Sequence, residues 1–168
     1  IEKFSWSESQ IGLSLGFAGI FMIIVQAGLI RWAIPTFGAY RAGLIGLIAV
    51  IVGFCGYAFV QSGWQLYPFL ALASISGFVA PSFQAIMTSE VPENAQGELQ
   101  GALSSITSLT SIIGPLFMTQ LFATFTSQSV TLYFPGVSFV AAAFLSLICM
   151  LIFGTVVVRH GMTRLGKT

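Results

Sequence analysis

The chain has 168 residues, of which 56% are hydrophobic and 7% charged, with a net charge of +1 and no aspartate. A soluble globular domain carries roughly 25% charged residues, so this chain has too little polar surface to face water and reads as an integral membrane protein. The near-neutral charge leaves no basic surface for a nucleic-acid partner.

A spanning helix needs about 20 mostly apolar residues, and five segments qualify. Helix A covers about 10–30, B 42–60, C 66–87, D 101–125 and E 130–158. Ser7 or Ser9 suits the N-cap of A. Residues 31–41 read as the A–B loop, with Pro35 and Gly38 as breakers. The short stretch Gln61 to Trp64 makes B and C antiparallel neighbours. The C–D connection holds Glu90, Glu93 and Glu98, with Pro92 as a helix start, and the D–E loop, 126–129, is short and uncharged. Cys55 and Cys149 lie inside apolar runs and read as small hydrophobes. The chain starts at Ile1 with a loop-like stretch rather than a signal peptide, and reads as a piece of something longer.

Basic residues set the orientation. Arg31 and Arg41 lie between A and B, and Arg159, Arg164 and Lys167 lie in the tail. The positive-inside rule puts the A–B loop, the C–D loop and the carboxyl end in the cytoplasm. The expected location is the cell inner (plasma) membrane, multi-pass, with the lipid bilayer as the first partner. Trp6, Trp32, Trp64, Tyr67 and Tyr133 fall near span ends, where interfacial aromatics belong.

Polar side chains avoid lipid, and their distribution sorts the spans. Helix D starts in the charged, Gln-rich stretch after Gln96 and carries Ser104, Ser105, Thr107, Ser108, Thr110 and Ser111, then Gly114-Pro115 and Gln120. Helix C carries Ser74, Ser76, Ser82 and Gln84. Helix A carries Ser14 and Gln26, with Gly12, Gly16 and Gly19 down one face suited to close helix approach. B and E carry few polar groups. The expectation is that A, C and D are central and B and E peripheral and lipid-facing. Gln26, Gln84, Ser104, Ser108, Ser111 and Gln120 are the substrate-cavity candidates, and Gly114 and Pro115 the conformational ones, since proline bends a helix. Any single hydroxyl can instead bond its own i−4 carbonyl, and each glutamine can tie two helices together. No acid, base or histidine lies inside a span, and His160 is in the tail. That argues against an enzyme and gives no metal or cofactor site.

Gln84 to Met87, Gln96 to Gly101 and Ser108 to Leu116 resemble the matching stretch of the tetracycline/proton antiporters, a drug-efflux branch of the major facilitator superfamily. Phe4 to Ser7, Ile11 to Leu15 and Gly63-Trp64 are similar as well. The resemblance implies an all-α membrane protein whose five transmembrane helices are helices eight to twelve, from the C-terminal bundle of a twelve-helix fold. The missing N-terminal half, a small-molecule substrate and protons are then the implied partners. Two places depart from the family pattern. The cytoplasmic loop motif Gly-x-x-x-Asp-Arg-x-Gly-Arg-Arg falls on 31–40 with Arg31, Pro35 and Thr36 replacing its Gly, Asp and Arg, while Gly38 is kept. Val50 stands where the tetracycline exporters carry an aspartate in the ninth helix, which leaves the substrate open. The implied activity is proton-coupled efflux of a drug-like molecule by alternating access. The alternative is a non-transporting sensor or assembly subunit whose polar faces serve packing only.

Overall fold

The computed structural model describes residues 6–127 and 133–165, with side chains described as far as Thr155. Among these residues all regular structure is helical, and five helical stretches are long and apolar enough to cross a membrane. The first comprises α1 (Glu8–Ile23), a π-helical segment (Ile24–Leu29) and α2 (Ile30–Phe37). The second is α3 (Ala39–Phe59). The third comprises α4 (Leu66–Ser74), a 3-10 segment (Ile75–Phe78) and α5 (Val79–Glu90). The fourth is α6 (Gln96–Thr126) and the fifth α7 (Val137–Leu165).

Local sequence explains most of the boundaries. Ser7 caps α1: its hydroxyl accepts from the Gln10 amide and the Gln10 side chain accepts from the Ser7 amide at 2.9 Å, which satisfies two otherwise orphaned donors. Ser62 and Gln65 repeat the arrangement ahead of α4. The expected loop at 31–41 is helix on both sides of one residue. Pro35 is accommodated inside α2, and the chain turns at Gly38 alone, whose φ of +80° is open to glycine. Pro92 precedes a short 3-10 turn (Glu93–Ala95), and α6 starts at Gln96, ahead of the expected start. The D–E loop lies partly outside the described residues.

The helices form an arc in the order α1, α4–α5, α3, α7, α6. This corrects the expectation that the second span is peripheral. α3 is the hub, packed against α7 on one side and α4–α5 on the other, and its apolar window is the most buried of the five. The cause is a stripe of small residues. Ala42, Gly46, Ala49, Gly53 and Gly56 recur at helical spacing and are all buried. A Cβ on Gly46 would lie 2.8 Å from Val79 Cγ2, one on Gly53 would lie 2.7 Å from Ala73 Cβ, and one on Gly56 would run into the Phe69 ring. Without lipid-versus-water hydrophobicity to draw helices together, such backbone-close packing is what holds them. Gly136, at the foot of α7, lies against the Ala58 carbonyl. Gly12, Gly16 and Gly19 do the opposite of what their spacing suggests: among the described residues nothing lies within 4 Å of where their Cβ atoms would be.

Candidate functional site

The two rims of the arc, α1 and α6, keep the largest uncovered faces. At about 100° per residue, α6 divides lengthwise into three sectors. Leu103, Gly114 and Met118 are half-buried on the side toward α7. Ser104, Ser108, Ser111 and Pro115 share an adjacent exposed stripe, with Gly97 and Gly101 leading into it. Ile106, Leu109, Ile112, Ile113, Leu116 and Phe117 make an exposed apolar sector. Gln120 falls in that apolar sector, about 160° round from Ser104. The structure therefore groups the three candidate serines and separates Gln120 from them.

Most α6 hydroxyls bond their own helix. Ser105 donates to Gly101 O at 2.9 Å, Thr107 to Leu103 O at 2.8 Å, Thr110 to Ile106 O at 2.9 Å and Ser111 to Ser108 O at 2.8 Å. Each keeps an acceptor lone pair for another donor. Gly114 and Pro115 lie within continuous α-helix. Pro115 has no N–H for the Ser111 carbonyl, so an acceptor opens on the same stripe as the serines.

Gln26 and Gln84 belong to neighbouring spans. Gln26 lies on the π segment, with Ile30 N–H bonded to Val25 O in place of Gln26 O, and its Cγ is 3.5 Å from where a Gly77 Cβ would be. Gln84 is half-buried on α5 and falls on the same face as Gly77, about 10 Å farther along the helix. Its carbonyl accepts from Thr88 Oγ1 at 2.8 Å. Gln26, on the π segment, and Gln84, on the Gly77 face of α5, thus belong to the first and third spans, which meet at Gly77, while the α6 serines stand at the other end of the arc. Sequence reasoning missed Gly77, whose lack of a side chain lets the π segment of the first span come against the third. The signal was its spacing from Pro81, four residues on.

A second feature lies at the head of α1. An open groove of about 800 Å³ is lined by Ser9, Gly12, Leu13, Gly16, Ile20 and Tyr67, among others. It follows the bare glycine face and is an open apolar trough rather than an enclosed chemical site.

A helical arc with apolar outer surfaces, a small-residue hub and hydroxyl- and amide-bearing rims is the architecture of a polytopic membrane protein whose polar rims face protein or a cavity. The chain matches the Major Facilitator Superfamily over residues 1–165 and belongs to it. It is 36% identical over 149 residues to the class C tetracycline resistance protein of Escherichia coli, an alignment covering 89% of this chain and 36% of that protein. The class G tetracycline resistance protein of Vibrio anguillarum is 35% identical over 149 residues, 89% of this chain and 37% of that protein. A more distant relative is the Hippocampus abundant transcript 1 protein of Homo sapiens, 24% identical over 110 residues, 66% of this chain and 22% of that protein. The chain spans a little over a third of the length of the tetracycline resistance proteins it matches. No solved structure matches it. The expected family and the all-α membrane fold are therefore both found.

Proposed function

We propose that this chain is the C-terminal part of a secondary efflux carrier of the inner membrane, which exports a drug-like small molecule in exchange for protons by alternating access. The single observation that carries this reading is the family match over residues 1–165, joined to 36% identity with a tetracycline resistance protein. The geometry supports it. The uncovered polar stripe of α6 and the glutamines Gln26 and Gln84 of the first and third spans are groups that lipid does not suit, and an N-terminal half would close a midplane site against them. In this reading Gln26, Gln84, Ser104, Ser108 and Ser111 line the C-terminal wall, and Gln120 lines it only if a further helix covers the apolar sector of α6. Gly114 and Pro115 supply compliance in α6. No carboxylate, lysine, arginine or histidine lies in the apolar middle of a span of this chain, so in this reading the proton-carrying residue belongs to a part of the carrier outside this chain.

The competing reading, a non-transporting membrane subunit, draws on the back-bonded hydroxyls of α6, which need no cavity. Transport decides between them. Inverted vesicles carrying the full-length protein should accumulate a tetracycline or another amphipathic drug when their lumen is acidified, and a protonophore should abolish the uptake. Failure across a panel of such drugs, with the protein folded and inserted, would leave the packing-only reading.

A further inference from the structure

The third span is not one helix: α4 and α5 are joined by the 3-10 segment Ile75–Phe78, where the Val79 N–H bonds Ser76 O. Its cause is local. Pro81 has no N–H for the Gly77 carbonyl, and Gly77 itself is a weak helix former. Directly across the seam lies the π segment of the first span, Ile24–Leu29. A Cβ on Gly77 would be 3.3 Å from Val25 Cγ1 and 3.4 Å from Met22 Sδ. An overwound segment thus meets an underwound one at a glycine, and mid-helix segments of either kind often mark hinges or functional sites. One further observation falls on the downstream helix. Ser82 is fully buried against Gly43 of α3, and its hydroxyl has no hydrogen-bond partner.

We propose that Ile75–Phe78 is a one-residue register switch: its interconversion between 3-10 and α-helix turns and retracts α5 against α3 while α4 stays fixed. The geometry of the two helix types sets the size of the step. Four residues changing from 3.0 to 3.6 per turn unwind α5 by about 80°, and the fall in rise shortens the span by about 2 Å. The next residue along an α-helix lies about 100° round and about 1.5 Å further on. Phe83 therefore arrives at the place left by Ser82, opposite Gly43. The move takes the Ser82 hydroxyl out of its unpartnered position, shifts Phe83 from its present pairing with Phe153 at 4.6 Å into the notch at Gly43, and turns Gln84 by about 80° relative to α4. The π segment is the compliant surface against which the third span slides.

The test uses disulfide capture in the full-length protein in lipid vesicles, with Cys55 and Cys149 replaced by alanine, and it does not depend on transport. A Cβ on Gly43 lies 3.3 Å from Ser82 Cβ, close to the disulfide range of about 3.5–4.5 Å. Gly43→Cys should cross-link with Ser82→Cys in one sample and with Phe83→Cys in another. Above the switch, Gly53→Cys should cross-link with Ala73→Cys and only at background with Ser74→Cys. Adding Pro81→Ala returns an N–H to the Gly77 carbonyl, and should raise the Phe83 product severalfold at the expense of the Ser82 product. A Phe83 product no greater than the Ser74 background, or product ratios unmoved by Pro81→Ala, would overturn the switch. In the protein without these substitutions, amides of 76–80 should exchange with deuterium at least tenfold faster than those of 69–74, and equal protection would also overturn it.

Discussion

Two buried or half-buried polar side chains make opposite predictions. Ser82 is enclosed by α3 with its hydroxyl unsatisfied, and such a group costs about 1–3 kcal/mol. Ser82→Ala removes the hydroxyl without opening a cavity of any size, so it should raise the melting temperature of the purified full-length protein. A fall would mean that the hydroxyl finds a partner in the whole protein. Gln84 can both donate and accept, and no neighbour among the described residues ties its amide to another helix. If it meets substrate, Gln84→Leu removes a net contribution of about 0.5–1.5 kcal/mol, and affinity should fall roughly two- to tenfold. The melting temperature should hold. A lower melting temperature with unaltered affinity, measured on the same preparation, would make Gln84 a packing residue.

At the scale of helices, the small-residue stripe of α3 carries more of the structure than any polar group. Gly53→Leu would drive a side chain into Ala73, already 2.7 Å from a built Cβ, and overpacking of this kind costs about 1–3 kcal/mol or more. Gly16→Leu adds the same side chain where no described residue lies within 4 Å. Within the isolated chain the first should lower thermal stability in detergent and the second should not. Comparable losses would mean that α1 is packed as tightly as α3. This contrast was not read from the sequence, although its signal was there. Hydropathy counts glycine and alanine as apolar filler, so sorting helices by polar side chains placed the second span at the periphery. The recurrence of Ala42, Gly46, Ala49, Gly53 and Gly56 is what marks it as the hub. Likewise, Pro35 and Gly38 were weighed as equal breakers, whereas only Gly38 adopts a backbone that ends a helix. The five apolar runs and the family words around Gln96 and Ser108 were legible because length and local identity suffice for them. The π segment was not, since nothing local marks it and it shows only where the first span meets Gly77; the 3-10 segment turns on the Gly77–Pro81 spacing, which hydropathy does not weigh.

For the whole molecule, the arc leaves α1 and α6 open along their length, and orientation decides which ends of those open faces meet the cytoplasm. The first span runs 30 residues, Glu8–Phe37, about 45 Å at helical rise, which is longer than a hydrocarbon core of about 30 Å. Its excess lies at the α2 end, where Arg31 is exposed beside Trp32, and Arg41 is exposed just past the Gly38 turn. A basic pair with an exposed tryptophan suits the cytoplasmic interface. The C–D connection, with Glu90, Glu93 and Glu98, comes two spans later and falls on the same side, whereas Gln61 at the head of α4 falls on the other. In right-side-out vesicles of the full-length protein lacking Cys55 and Cys149, Gln61→Cys should react with an impermeant thiol reagent added outside. Asn94→Cys should react only after the membrane is opened. Both positions are exposed, Gln61 in the connection ahead of α4 and Asn94 in the short 3-10 turn ahead of α6, so neither label needs to enter a helix packing surface. Labelling of Asn94→Cys from outside, with Gln61→Cys protected, would invert the topology and put the Gln84 end of the third span on the outer face.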